Sequence, residues 1–355
     1  MTGRILFFRR SRPVPSFVGF VMPHRLEQFA ACLLGGALGD ALGAPVEFLD
    51  LGSIRDRYGA EGIQELDEAY GRIGAITDDT QMTLFTAEGL IVAAELAKRG
   101  QDVHVPTVVN RAYLRWLQTQ EGRSSDQANI DEGWLLDVPA LHSRRAPGNT
   151  CLSALHAGGM GTIHEPINSS KGCGTIMRIA PVGLVCRDPF QMGCEIAALT
   201  HGHPSGYLAA GFFTQVIHDL LEDKPLPVAI DDALVKLAAW ADCDETVEAV
   251  TQALALAKTE DDTAETVELL GGGWVAEEAL GIALFCALKA KSFEHGVRLA
   301  VNHTGDSDST GAITGNLLGV IYGINGIPDH WLEQIELREE IERLARGLYE
   351  AGEVQ

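Results

Sequence analysis

Residues 25–43 read RLEQFAACLLGGALGDALG, a helix-forming stretch that is apolar on nearly every side and rich in Ala and Gly. A helix that is hydrophobic all round has to be buried. Its small residues allow a second helix to come close. A chain carrying such a segment must wrap other elements around it. No apolar run reaches the ~18–20 residues that a membrane span needs, so the wrapping is expected from the chain itself.

The rest of the body supplies helices. Residues 77–99 open on Thr77-Asp78-Asp79-Thr80 and end on Lys98-Arg99 before Gly100. A Thr or Asp cap, acids in the first turn, bases in the last and a terminal Gly together define a helix. Helical spacing recurs near 106–119, 189–200, 204–222, 228–241, 244–258, 274–291, 308–323 and 329–350. Strand-like alternation is scarce, so the expected class is all-α, one compact multi-helix domain over 26–350. The loops 222–227 and 259–263 are too short to divide it.

Composition narrows the function. The chain has 355 residues, 46% hydrophobic and 21% charged, which fits a folded globule. Its net charge of −22 opposes binding to phosphate backbones, so nucleic acid is not an expected surface partner. Seven scattered cysteines form no CxxC and no disulfide spacing, which suits a reduced, cytoplasmic compartment. Residues 1–25 break the acidic pattern with Arg4, Arg9, Arg10, Arg12 and Arg25 and no acid. Three readings fit this basic extension. It is a flexible tail or translated upstream sequence before Met22, or a transit-type targeting peptide, or an arm that docks on an acidic partner through Phe8, Arg9, Arg10, Arg12 and Phe17.

Two acidic clusters lie far apart in the chain. The first is Thr77-Asp78-Asp79-Thr80 and the second Gly305-Asp306-Ser307-Asp308-Ser309-Thr310-Gly311. Carboxylates and hydroxyls packed this way offer oxygen ligands to hard cations such as Mg²⁺, Mn²⁺ or Ca²⁺ rather than Zn²⁺. Either cluster alone reads equally as an ordinary N-cap. Two of them, each leading into a small-residue apolar helix, favour a shared site. An EF-hand is excluded, because the twelfth position counted from Asp306 is Leu317 where a bidentate Glu is required. The DxDxT opening of dehalogenase-type phosphatases needs a preceding buried strand and a longer chain after it. Ser170-Lys171-Gly172-Cys173-Gly174-Thr175 has the physics of a phosphate cradle, or of a tight turn. Thr200-His201-Gly202-His203-Pro204 suits a helix-end loop with one His facing a ligand.

Five motifs taken together resemble the ADP-ribosylglycohydrolase family. They are GGALGDALGAPVEF at 35–48, TDDTQMTLFTAEGLI at 77–91, KGCGTIMRIAPVGL at 171–184, LTHGHPSGYLAAGFF at 199–213 and NHTGDSDSTGAITGNLLGVIYG at 302–323. The resemblance implies an all-α fold with two Mg²⁺ or Mn²⁺ ions in a cleft. It places Thr77, Asp78, Asp79, Asp306, Asp308 and Ser309 as metal ligands. Glu47, Asp79 and Asp308 are implied as catalytic. Asn149, Gly172, Cys173, Gly174, Thr175 and His203 are implied at the substrate. The implied reaction is hydrolytic removal of ADP-ribose from a protein side chain, arginine first, with serine-linked or O-acetyl-ADP-ribose as alternatives. A non-catalytic binding protein, or an immunity protein that reverses or blocks an ADP-ribosylating toxin through its arm, belongs to the same expectation. Two departures bear on the linkage. The place where some arginine-directed members carry Asp-x-x-Asn reads Ala146-Pro147-Gly148-Asn149, and Cys173 stands where some serine-directed members have Asn.

Overall fold

The computed structural model describes residues 24–121 and 133–355. The residues expected to form a partner-docking arm, Phe8, Arg9, Arg10, Arg12 and Phe17, lie outside the described residues. The principal helices are α1 (His24–Gly43), α2 (Asp78–Lys98), α3 (Val105–Glu121), α4 (Pro204–Leu221), α5 (Ala276–Lys289), α6 (Ser307–Tyr322) and α7 (Arg338–Ala351). Sheet among the described residues is confined to one antiparallel hairpin, Glu68–Ala69 with Arg72–Ile73.

The centre of the fold is the pair α1 and α6. They run antiparallel at close range, with Gly39 against Gly311 and Gly35 against Gly315. A Cβ on Gly39 would sit 1.9 Å from the Gly311 carbonyl oxygen, and one on Gly315 would sit 2.0 Å from that of Gly35. Only glycine permits this approach. α7 packs against α1 and α2, α3 against α2, and α5 between α4 and α6. Leu34, Leu38, Ala41 and Leu42 of α1 and Ile313, Leu317 and Leu318 of α6 are all buried in the core. No helix among the described residues is long and apolar enough to cross a membrane.

A buried ion pair joins α2 to α3. Arg115 donates from Nη2 at 2.6 Å and from Nε at 3.2 Å to Glu88 Oε2. The other oxygen of Glu88 accepts from the backbone of Trp134 and, at 2.8 Å, of Leu135. A buried charge is tolerable only when paired and fully hydrogen-bonded in this way.

The helix expected over 329–350 is two helices, Asp329–Gln334 and α7. The break falls at Leu337, held at φ 58°. It turns Glu336 inward, where it accepts from Ile76 N at 3.2 Å and pairs with Arg145. Helices at Leu51–Tyr58, Asn149–His156, Ala180–Val185, Ala264–Glu268 and Phe293–Val301 were not legible from periodicity. Four of them have eight residues or fewer, too few turns to establish a period.

Candidate active site and cation site

The two acidic clusters meet because α2 and α6 both begin at one cleft. Thr77 caps α2, its Oγ1 accepting from Asp79 N at 3.2 Å. Asp78 and Asp79 therefore fall in the first turn, where the helix dipole favours carboxylates. Asp306 occupies the cap position of α6, followed by Asp308 and Ser309. The pairing of α1 with α6 delivers a further acid. Asp40, one residue after the Gly39 contact, is fully buried and faces the start of α2. Its carboxylate accepts from Thr77 N at 3.1 and 3.0 Å, from Thr80 N at 3.1 Å, and from the Thr80 hydroxyl. Asp40 thus locks the Thr77–Thr80 turn in place. Its sequence signal was a carboxylate inside an otherwise apolar helix.

The cleft has a volume of about 270 Å³. It is lined by Glu47, Asp78, Asp79, Asn149, Gly172, Cys173, Gly174, Asp306, Asp308 and Ser309, all singled out in the sequence. Ala146, Cys151, Met177, His201 and Trp274 complete much of the wall. Thr77, Thr175 and His203 are not among the lining residues. Thr77 is fully buried with its side chain beside the Asp308 carboxylate, and Thr175 Oγ1 turns back to Gly172 O at 3.2 Å. His203 caps α4 through Nδ1, which accepts from Ser205 N at 3.2 Å. It is His201 that reaches the cleft. Its Nδ1 meets Thr200 Oγ1 at 2.8 Å, and Nε2 lies against Gly172. Burial, then the nearby Arg178 charge, push His201 down to about 3, so it stays neutral. Arg178 itself donates to Thr200 Oγ1 at 2.7 Å and lies 4.4 Å over the Tyr113 ring.

The cradle is anchored from outside. Lys171 pairs with Glu245 at 2.7 Å and with Glu277. Cys173 N donates to Trp274 O at 3.1 Å, and Ala276 N to Lys171 O at 2.9 Å. The Cys173 thiol donates to Asp306 Oδ2 at 2.6 Å. Burial, then the neighbouring carboxylates, push that thiol well up, which disfavours a nucleophilic role.

The electrostatics of the acids point to a cation. Glu47, Asp306 and Asp308 each offer an oxygen within 4.8 Å of the others. Burial raises all of them, and the charge of Asp308 adds to this for Glu47, Asp78, Asp79 and Asp306. Glu47 is pushed up to about 11 and Asp40 to about 7, by burial first and then by Asp308. Glu47 Oε2 and Asp79 Oδ2 are buried without a hydrogen-bond partner. Buried carboxylates crowded together and left unpaired are costly unless protonated or neutralised by a metal. This donor set fits a hard divalent cation. Glu47, expected only as a catalytic group, stands among the oxygens able to hold it.

A model of ADP-ribosylglycohydrolases matches residues 22–355. The chain belongs to the ADP-ribosylglycohydrolase family. It is therefore a hydrolase of glycosidic bonds to ADP-ribose, in a metal-dependent family. The ADP-ribosylarginine hydrolase Tri1 of Serratia proteamaculans is 26% identical over 335 residues, covering 91% of this chain and 79% of that protein. The ADP-ribosyl-[dinitrogen reductase] glycohydrolase of Rhodospirillum rubrum is 27% identical over 330 residues, covering 89% and 92%. A solved structure titled ADP-ribosylglycohydrolase-related protein complex superposes with a TM-score of 0.68 at 27% identity, covering 93% of this chain and 99% of that one.

Proposed function

We propose that this glycohydrolase removes ADP-ribose from modified arginine side chains, using two Mg²⁺ or Mn²⁺ ions. The observation that carries the catalytic part is the ring of buried carboxylates with Glu47 Oε2 and Asp79 Oδ2 left without partners. Thr77, Asp78, Asp79, Asp306, Asp308 and Ser309 would hold the ions, with Glu47 bordering them. Bound there, divalent cations would acidify water and fix the ribose hydroxyls beside the scissile carbon. Asp79, with its free oxygen, or Asp308 orients the attacking water and accepts its proton. Glu47, beside the departing group, gives it a proton. Gly172, Cys173, Gly174 and Asn149 cradle the diphosphate or distal ribose. Thr175 and His203 act behind that surface, and His201 takes the ligand-facing place.

Arginine is supported by the Tri1 relative, which is named for that linkage and aligns over most of the chain. No lysine or arginine lines the cleft among the described residues, so no side-chain cation there opposes a cationic acceptor. We further propose that residues 26–350 form the catalytic domain of a cytoplasmic protein. The basic segment before it docks on an ADP-ribosyltransferase toxin, so that the protein both reverses and blocks the modification. Deletion of residues 1–22 should then abolish toxin binding and leave hydrolysis intact; unchanged binding removes that part. The deciding assay for the enzyme offers arginine-, serine- and O-acetyl-linked ADP-ribose with Mg²⁺ or Mn²⁺, and EDTA as control. Arginine-linked substrate should be cleaved fastest, and EDTA should stop the reaction. Preference for another linkage refutes the arginine assignment alone.

A further inference from the structure

Arg178, the last residue of the KGCGTIMR run, is fully buried, and no acid pairs with it among the described residues. Its Nε has no hydrogen-bond partner, and Nη1 reaches only the sulfurs of Cys151 at 3.3 Å and Met82 at 3.7 Å. The Tyr113 ring, 4.4 Å from Cζ, covers one face. A buried charge without a counter-charge is costly. Its shortest hydrogen bond leads towards the cleft. Nη2 donates to Thr200 Oγ1 at 2.7 Å, and that oxygen lies 2.8 Å from His201 Nδ1. His201 lines the cleft, as does Cys151. Two sequence motifs, KGCGTIMR and THGHP, therefore join behind one wall of the site.

The direction of the second bond follows from the protons available. A guanidinium only donates, so the Thr200 oxygen accepts from Arg178. Thr200 is fully buried, and among the described residues its hydroxyl has no hydrogen-bond acceptor other than His201 Nδ1. Turning that proton elsewhere would leave a buried donor unsatisfied. A proton on Nδ1 would also point at the oxygen that already faces the guanidinium charge. Burial, then the Arg178 charge, keep the ring neutral. Its single proton therefore stands on Nε2. That nitrogen has no hydrogen-bond partner among the described residues. It lies 3.4 Å from where a Cβ would stand on Gly172 and 3.3 Å from one on Gly174. The N–H is thus offered at the glycines of the cradle.

We propose that Arg178 and Thr200 are positioning residues, which act through His201 by fixing the tautomer that presents Nε2–H to an oxygen of ADP-ribose in the cradle. This rests on ADP-ribose occupying that cleft. The tautomer is read by ¹⁵N NMR of histidine-labelled protein, with the His201 signals assigned from His201→Asn. Nδ1 should show the shift of a bare nitrogen and Nε2 that of a protonated one. The reverse pattern, or an imidazolium at neutral pH, would overturn the proposal. A binding arm titrates ADP-ribose calorimetrically, with Mg²⁺ present, into wild type, Thr200→Val, Thr200→Ser and Arg178→Met. Loss of one hydrogen bond predicts ~2- to 10-fold weaker binding by Thr200→Val, with Thr200→Ser restoring it. Arg178→Met should bind more weakly too. Its Tm should not fall, because an apolar side chain of similar volume in place of a buried charge is commonly neutral or stabilising. Thr200→Val carries the test should Arg178→Met not fold. In a His201→Asn background neither substitution should weaken binding further. Losses that add to that of His201→Asn, or a lower Tm with unchanged affinity, would make both residues structural and overturn the proposal. A wild type that fails to bind ADP-ribose refutes the cleft assignment, and the tautomer still decides whether Arg178 and Thr200 set His201.

Discussion

Gly39→Ala isolates the close contact on which the site is built. The new Cβ would lie 1.9 Å from the Gly311 carbonyl oxygen, with the Gly311 carbonyl carbon at 2.3 Å. Comfortable non-bonded separations are ~3.5 Å or more, so α1 and α6 would have to part by over ~1 Å at this level. Both obstructing atoms are backbone, so no side chain can rotate away. Parting packed surfaces by ~0.5–1 Å forfeits about a quarter to a half of their dispersion attraction. Overpacking of this kind typically costs ~1–3 kcal/mol, occasionally more. Alanine offsets ~0.5–1 kcal/mol of this by its better helix propensity. We expect a net loss of about 2 kcal/mol, at the severe end of the overpacking range less that gain. Urea unfolding in EDTA reads this as a lower midpoint. Gly281→Ala is the control. It is also a helical glycine, but its Cβ would be 3.4 Å from the nearest atom, an ordinary contact, so it should be neutral or slightly stabilising. The parting also displaces Asp40, the next residue, and with it the Thr77–Thr80 turn. Mn²⁺ affinity measured by calorimetry should therefore fall as well. An unchanged midpoint and unchanged Mn²⁺ affinity in Gly39→Ala would refute the reasoning.

The acids themselves give further expectations. Asp79→Ala or Asp308→Ala should lose most cation binding and hydrolysis together; full hydrolysis with both replaced would sink the proposed site. Glu47→Gln should keep cation binding within a few-fold yet lower kcat by about 100-fold or more, the usual scale of general acid catalysis; loss of binding instead would make Glu47 chiefly a ligand. Glu88→Gln leaves buried Arg115 without its counter-charge and should cost ~3–5 kcal/mol in urea unfolding, with a shift below 1 kcal/mol arguing against that role for the pair. The cation-free protein should lose stability as pH rises. Its site carboxyls have native pKa values above their unfolded values, Asp40 up to about 7, so the native state holds protons that the unfolded chain releases. That stability is complete below the unfolded carboxyl range and is lost as pH climbs through the native values. Added Mg²⁺ should therefore raise Tm more at pH 8 than at pH 5.5; an equal rise at both would contradict it.

Much of this was legible in the sequence because the signals are local. Thr77-Asp78-Asp79 announces a capped helix start, and the cap forms as the residue types dictate. An apolar, Gly-rich run announces a buried helix, and α1 is buried along nearly its whole length. Glu336 illustrates the opposite case. Its pairing with Arg145 and Ile76 breaks a helix that periodicity read as continuous, and nothing near it in the chain marks a partner nearly 200 residues away. His201 and His203 are equivalent on either side of a glycine until α4 starts. Then His203 is spent capping the helix, and His201 is left to face the cleft.

The sequence by itself determined which residue types could hold a cation, that they sit at helix starts, and that two helices need small residues. Those properties reside in a few consecutive side chains and in backbone preference. Tertiary structure alone decided that the starts of α2 and α6 share one cleft, that Asp40 braces one of them, and that Glu47 stands with Asp306 and Asp308. It also decided that Trp274 meets Phe48 across more than 200 residues of chain. The reason is physical. Such contacts depend on how closely α1 and α6 approach, and that distance is set by atoms of both helices at once.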